Sequence, residues 1–317
     1  EVKGRMNISS SLNIGGTLSV KSNANIVGAL QVGDKISVGP GSLASGTNSV
    51  AMGKNLKASG ITSVAIGDGS TASGHHSVAM GDKSTASGNW GSVAMGRSST
   101  ASGWYSFAIG WKSIASEWGS IAMGKKTKAK GENSFAIGDQ STASGVCSIA
   151  TGFMSTASSS HSVAIGGYSR TSGSYSVAIG QSSNASADYS VAMGLDSAAS
   201  GINSFAMGNT SNASADYSVA MGNTSNASGA SSVAMGDKST ASGESSFAMG
   251  KETSASNDYS TAMGYKTTAS GQYSTAMGKE TKAKSYSETA LGIFNKDVTP
   301  INTTGYQAKD RLFVIGN

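Results

Sequence analysis

Along most of the chain, small and bulky residues alternate: serine, a bulky apolar residue, alanine, a second bulky apolar residue, then glycine. Ser49-Val50-Ala51-Met52-Gly53 is one copy. A period of two is that of a β-strand, whose successive side chains point to opposite faces. Serine, alanine and glycine therefore share one face, and valine and methionine the other. The closing glycines fall at Gly53, Gly67, Gly81, Gly96, Gly110 and onward to Gly292, which makes eighteen copies. Every step is 14 residues except the 15-residue step from Gly81 to Gly96. Between copies lies a second alternation, typified by Ser70-Thr71-Ala72-Ser73-Gly74. Fourteen residues are too few for a pair of helices but suit two short strands and two turns. The predicted fold class is all-β, a solenoid of parallel strands in 14-residue coils.

Tolerance within each column indicates which face is inside. The alanine column from Ala51 to Ala290 is alanine in all eighteen copies, and the shorter-strand column from Ala58 to Ala283 departs only at Thr171. The neighbouring valine column accepts Phe107, Phe135, Phe205 and Phe247, and ends in Thr261, Thr275 and Thr289. A position that takes only a methyl group faces a confined space, so the alanines are expected between the two sheets and the larger side chains outside. Eleven of the thirteen methionines lie on the outward face. An apolar strip of that length needs covering, and copies of the same ridge around an axis cover it best. The expected homotrimer interface comprises Val50, Met52, Val64, Ile66, Phe107, Ile109, Val191, Met193, Phe205, Met207, Phe247 and Met249. The opposite assignment, with valine and methionine inside, also yields a β-solenoid.

The copies NSVAMG, TSVAIG, NSFAIG and YSVAIG resemble the YadA-like head repeats of trimeric autotransporter adhesins, over residues 48–292. The resemblance implies a left-handed parallel β-roll, three chains side by side, and adhesion to a surface. Ahead of the array a shorter period appears. MNI, LNI, LSV, ANI, LQV and ISV begin at residues 6, 12, 18, 24, 30 and 36. Such hexapeptides are similar to the triple-stranded β-helical stems of phage tail fibres. Pro40 and Pro300, the only prolines, bracket the array, and after Gly292 the period is abandoned. Three regions are expected: a stem over 1–45, the β-roll head over 46–292, and an exit segment over 293–317 leading to a further domain. The stem and exit favour a phage or injection-system fibre, with a bacterial surface adhesin as the other setting. Both are extracellular. A chain that starts at Glu1, with neither signal peptide nor initiator methionine, reads as a piece of a longer polypeptide.

Composition removes other classes. Glycine is 43 of 317 residues and charged residues are 13%, too polar and small for an ordinary core. The net charge of +5 is spread thinly with no Lys/Arg block, which argues against nucleic acid as a partner. No run of 18 apolar residues exists, so no membrane insertion by this segment is expected. Cys147 stands alone, and the three histidines, His75, His76 and His161, lack further ligands at metal-binding spacing. The abundant serines have no His–Asp partner pattern. Neither enzyme activity, metal nor cofactor is expected.

Aromatic residues give the candidate site. Trp90, Trp104 and Trp118 each precede a repeat serine by two residues, a turn position otherwise held by polar residues such as Glu132, Asp188 and Asp216. Stacked coils bring these rings about 4.8 Å apart per step, a ladder with His75 and Tyr105 beside it. The ladder is expected either to contact a surface glycan or protein receptor on a target cell, or to pack between chains. The leading function is therefore a trimeric adhesin or receptor-binding fibre. Ice binding is an alternative, from the Thr71/Ser73, Thr85/Ser87 and Thr142/Ser144 hydroxyl rows, though Ile114, Lys130 and Arg170 interrupt them. A purely structural spacer fibre is another.

Overall fold

The computed structural model describes residues 32–316; the hexapeptides predicted as a stem lie outside that range as far as residue 31. Strands of three to five residues, such as Val50–Lys54 and Phe107–Trp111, alternate with two-residue strands such as Lys57–Ala58 and Ile114–Ala115. Twenty of the longer strands form one parallel sheet and eighteen short ones form the second. No described residue is helical. The protein is an all-β parallel solenoid of 14-residue coils, as the periodicity predicts.

Register is that of the repeat: Phe107 opposes Ile121, Ala108 opposes Ala122, and Gly110 opposes Gly124. The 15-residue coil keeps it, with Val78 opposite Val93 and Ala79 opposite Ala94, so its extra residue is absorbed in a turn. A one-residue slip would turn the alanines outward and the methionines inward. Ile36–Val38 pairs in the same register with Val50–Lys54, so among the described residues the ladder includes the last of the hexapeptides.

The interior is very thin. Alanines of both columns, Ala51, Ala58, Ala108 and Ala192 among them, are fully buried, and Val50, Val191 and Met193 point outward and are half-buried. The reading with valine and methionine inside is thereby excluded. The repeat serines share this interior because a hydroxyl there can close a turn. Ser49 Oγ donates to the Gly46 carbonyl at 2.6 Å, and Ser106 Oγ to that of Gly103 at 2.7 Å. Some serines ahead of the short strands bridge the sheets instead, as Ser113 Oγ does to the Gly124 carbonyl at 2.7 Å, while others, such as Ser141 and Ser155, are buried without a partner. Gly110 shows why the long strand ends in glycine. It adopts φ +120°, and a Cβ there would lie 2.0 Å from the Gly124 carbonyl oxygen, well inside contact distance and in a conformation that side chains rarely take.

At the far end the repeat returns after an excursion. Phe313–Gly316 pairs in parallel with Thr289–Ile293, placing Val314 opposite Ala290 and Gly316 opposite Gly292. Gly316 follows Gly292 by 24 residues instead of 14. The exit segment thus rejoins the ladder once before Asn317, a return hidden from the sequence by the long loop and by valine in the alanine place. The last coil is sealed by side chains. Glu288 stands where other coils have serine and is buried. One carboxylate oxygen accepts from the Lys284 and Ser285 amides at 2.7 and 2.9 Å, and the other pairs with Arg311 from the exit segment. Asn295 takes the place of a next short strand: its side chain accepts from the Lys282 amide at 2.7 Å and donates to the Lys282 carbonyl at 2.9 Å.

Two substitutions test the thin interior. Ala192→Leu forces three extra carbons into a gap that holds a methyl group and should cost about 1–3 kcal/mol or more, whereas Val191→Leu on the open face should stay below about 1.5. Urea denaturation reads both, and equal tolerance would contradict the assignment of faces. Glu288→Ala strands three donors at the last coil and should cost about 1–3 kcal/mol. Hydrogen exchange should show the loss at the C-terminal coils first, because a solenoid frays from its ends.

Candidate functional site

Each coil has two turns, on opposite edges, and each turn carries a residue in the left-handed region. Tyr105 at φ 54° and Lys112 at φ 54° are such a pair within one coil. A non-glycine residue there costs roughly 1–2 kcal/mol. The stacking of coils repays it, since that residue's N–H reaches the carbonyl of the coil before: Tyr105 N donates to Trp90 O at 3.2 Å and Lys126 N to Trp111 O at 2.7 Å. Turn side chains are consequently aligned from coil to coil, and they are the only positions free to vary in size and charge along with the outward columns.

The predicted tryptophan column exists. Trp90, Trp104 and Trp118 lie in consecutive coils and are 49, 50 and 47% exposed. The extra residue of the 15-residue coil sits at this turn, where Trp90 (φ 62°) and Gly91 (φ 81°) are both left-handed. The rings do not stack on each other, however. Trp90 stacks on His76, with centroids 5.6 Å apart and planes at 28°, and Trp118 meets the edge of Tyr105 at 6.4 Å. Contact therefore runs diagonally, from one coil's first turn residue to the preceding coil's second. Tyr105 joins the ladder as expected. His75 does not make ring contact; its Nδ1 accepts from the Ile61 amide at 3.1 Å, and His76 takes its place against Trp90.

The same edge carries aromatics that the tryptophan pattern overlooked. His161 stacks on Tyr175 at 4.7 Å and 6°, Tyr175 on Tyr189 at 5.2 Å and 3°, and Tyr259 on Tyr273 at 4.9 Å and 4°. All five occupy the residue immediately before the repeat serine. The recurring Tyr-Ser dipeptide was the available signal. Planes this parallel, repeated at ladder spacing, cover one another's faces within a stack and leave ring edges and hydroxyls open to solvent.

Charge gathers on the opposite edge. Trp111 has the ammonium groups of Lys112, Lys125 and Lys126 at 5.5, 5.8 and 5.5 Å from its ring. Ion pairs there link neighbouring coils, Arg97 with Asp82 at 3.3 Å and Lys251 with Asp237 at 3.5 Å. A hydrogen bond from Asn223, with help from Lys251, holds the Asp237 carboxyl below the ordinary carboxylate range. Among the described residues no group of three His, Cys, Asp or Glu side chains is placed to hold a metal, and Cys147 is an exposed free thiol.

The predicted interface residues form a continuous outward ribbon on the long-strand sheet, with Met52 45%, Phe107 39% and Met207 36% exposed in the single chain. A repetitive β-solenoid with a tiny-residue interior, an apolar outer ribbon and variable turns is the architecture of a fibrous adhesin head. The family model described as the YadA head domain repeat matches ten segments between residues 36 and 281, and the chain belongs to that family. It is similar to the collagen-binding domain of the Yersinia adhesin YadA, at 28% identity over 48% of this chain and 69% of that one, with a TM-score of 0.30. No curated protein sequence matches it.

Tryptophan fluorescence should reflect this exposure. Emission is expected at the wavelength of hydrated indole and should be strongly quenched by acrylamide in the intact assembly. A blue-shifted, protected signal would mean that the rings pack between chains.

Proposed function

We propose that this chain is the head of a homotrimeric, extracellular adhesive fibre that grips its target through the aromatic turn edge. The single observation that supports trimerisation best is the outward ribbon. Eighteen coils at about 4.8 Å each give a strip roughly 80–90 Å long, lined mostly by Val, Ile, Phe and Met, with threonine at Thr151 and in one column of the last three coils. Its area exceeds what a soluble monomer leaves open. Val50 and Met52, Val64 and Ile66, Phe107 and Ile109, Val191 and Met193, Phe205 and Met207, and Phe247 and Met249 are the residues it offers to two further copies. Because the same columns repeat in every coil, one rotation about a common axis covers them all.

Receptor contact falls to Trp90, Trp104 and Trp118 with Tyr105 and His76. Large rings that are half exposed at a turn contribute little to the coil's own packing, and aromatic anchors carry a disproportionate share of binding energy. A stacked aromatic edge suits the apolar faces of sugar rings or a protein receptor's surface side chains. The ladder's place on a straight edge allows several contacts at once with an extended target. A tail fibre of a phage or injection system and a bacterial surface adhesin would both use such an edge; the hexapeptides before residue 36 favour the former.

Light scattering at micromolar concentration should give the mass of three chains, and Val191→Asp with Met193→Asp should abolish assembly by burying unpaired charges. A monomer in the unmodified protein would refute the ribbon argument. Trp104→Ala should keep the assembly and its melting point while weakening adhesion to target cells at least about tenfold, the effect of losing an anchor of about 1.4 kcal/mol or more. Early melting with undiminished binding of the folded fraction would move the contact surface elsewhere.

A further inference from the structure

We propose that Lys112, Lys126, Lys128 and Lys130 form a binding site for a sulfated polysaccharide on the edge opposite the aromatic ladder. Lys112 and Lys126 hold the left-handed turn position in consecutive coils. Lys128 follows on the short strand, in register between Ile114 and Thr142. Lys130, two residues further, projects to the same side. Lys112, Lys126 and Lys128, with Ile114, Thr142 and Met154, line a surface groove of about 350 Å³. All four lysines are exposed.

Charge balance singles this place out. Lys125 is neutralised by Asp139 at 3.1 Å, whereas among the described residues no carboxylate lies within ion-pair distance of the other four. Like charges stacked on neighbouring strands destabilise the ladder that holds them. The chain contains its own control. Gly124-Lys-Lys-Thr-Lys-Ala-Lys130 is repeated at 278–284 as Gly-Lys-Glu-Thr-Lys-Ala-Lys, coil position for coil position. There Glu280 replaces Lys126, and Asp297 pairs with both Lys282 at 2.8 Å and Lys284 at 2.5 Å. The same backbone thus accommodates neutralised lysines, yet leaves those at 126–130 bare. Trp111 adds a second feature, drawing Lys112, Lys125 and Lys126 to one ring by cation–π attraction. That gathers the cations before any ligand arrives.

The ligand class follows from the dimensions and the lining. The cluster covers two neighbouring coils, about 4.8 Å along the axis, and runs across one of them from Lys126 to Lys130, about 13 Å at roughly 3.3 Å per residue, the reach of a few sugar units. Four ammonium groups in that length call for a polymer with more than one anionic group per sugar. Thr142 beside Lys128 in the groove, with Ser116 and Ser144 in the column of Lys130, offers hydroxyls to the sugar hydroxyls. A single indole makes no stacking track for successive bases, and the cluster is too short for the many phosphate contacts of duplex binding.

Binding of the intact protein to immobilised heparin, to hyaluronan (carboxylates without sulfate) and to a single-stranded oligonucleotide tests the assignment. Heparin should bind and the other two should not, with affinity falling steeply as salt rises, because cation release drives such contacts. Lys126→Gln with Lys128→Gln should weaken heparin binding at least about tenfold and flatten the salt dependence. Lys282→Gln with Lys284→Gln should leave it within about twofold, their charges being already paired on the surface. The proposal is overturned by absent heparin binding, by equal loss in both double variants, or by hyaluronan or oligonucleotide binding as well as heparin. None of these outcomes depends on assembly or on the tryptophan edge.

Discussion

In nearly every coil the gap between the two sheets admits only a hydrogen, a methyl, a hydroxymethyl or a threonine side chain, with Leu56 and Glu288 as larger exceptions near the two ends, and the rest of the molecule follows from that limit. Ala51, Ala58 and their equivalents fill it completely. Bulk that cannot go inward must go outward, so each long strand shows two large apolar side chains on its outer face. Serine is small enough to enter the interior, and in coils such as those of Ser49 and Ser106 its hydroxyl finds a turn carbonyl within reach, while others such as Ser63 and Ser148 stay buried without a partner. Glycine ends the strand because the next coil's carbonyl occupies the space of a Cβ. An ordinary domain stabilises itself by burying large side chains; this one buries small ones many times over and leaves its large ones for other surfaces.

With the interior and the strand ends so constrained, chemical variety is confined to the turns and the outward columns. The two turn edges have diverged. One carries tryptophan, tyrosine and histidine rings, several of them parallel within 6°. The other carries lysine, arginine and carboxylates in ion pairs between coils, with one stretch around Trp111 left positive. A change at either edge leaves the ladder's register untouched, which is why neighbouring coils can differ so much in surface character while sharing one backbone.

Much of this was legible in the residues. The alanine column alone predicted the strand faces, the coil length and the inward side, because a position invariant at one methyl group reports a wall on the other side of it. The tryptophan column was legible for the same reason, as a fixed offset from the repeat serine. What could not be read was direction within a turn. His75 and His76 are adjacent in sequence, and only the left-handed backbone at His76 decides that its ring meets Trp90. Charge was under-read: Lys125, Lys126, Lys128 and Lys130 fall within six residues of the linear chain, a cluster passed over beside the thinly spread total, and stacking adds Lys112, fourteen residues before Lys126. The return at Phe313–Gly316 was concealed by a lengthened loop, and the sealing role of Glu288 by its reading as a stray acid in a serine column.

The ladder's hydrogen bonds run from coil to coil, along the solenoid axis, and this governs how the head would carry load. Tension applied between its ends pulls each coil away from the next, so the bonds of one coil interface share the force while successive interfaces bear it in turn. Failure is then stepwise. Each coil that opens frees 14 residues, close to 50 Å of extended chain at about 3.5 Å per residue, in place of the single strand spacing it spanned when stacked. A tether built this way yields by lengthening in uniform increments and dissipates work at every one, while the coils still stacked keep their turn edges intact.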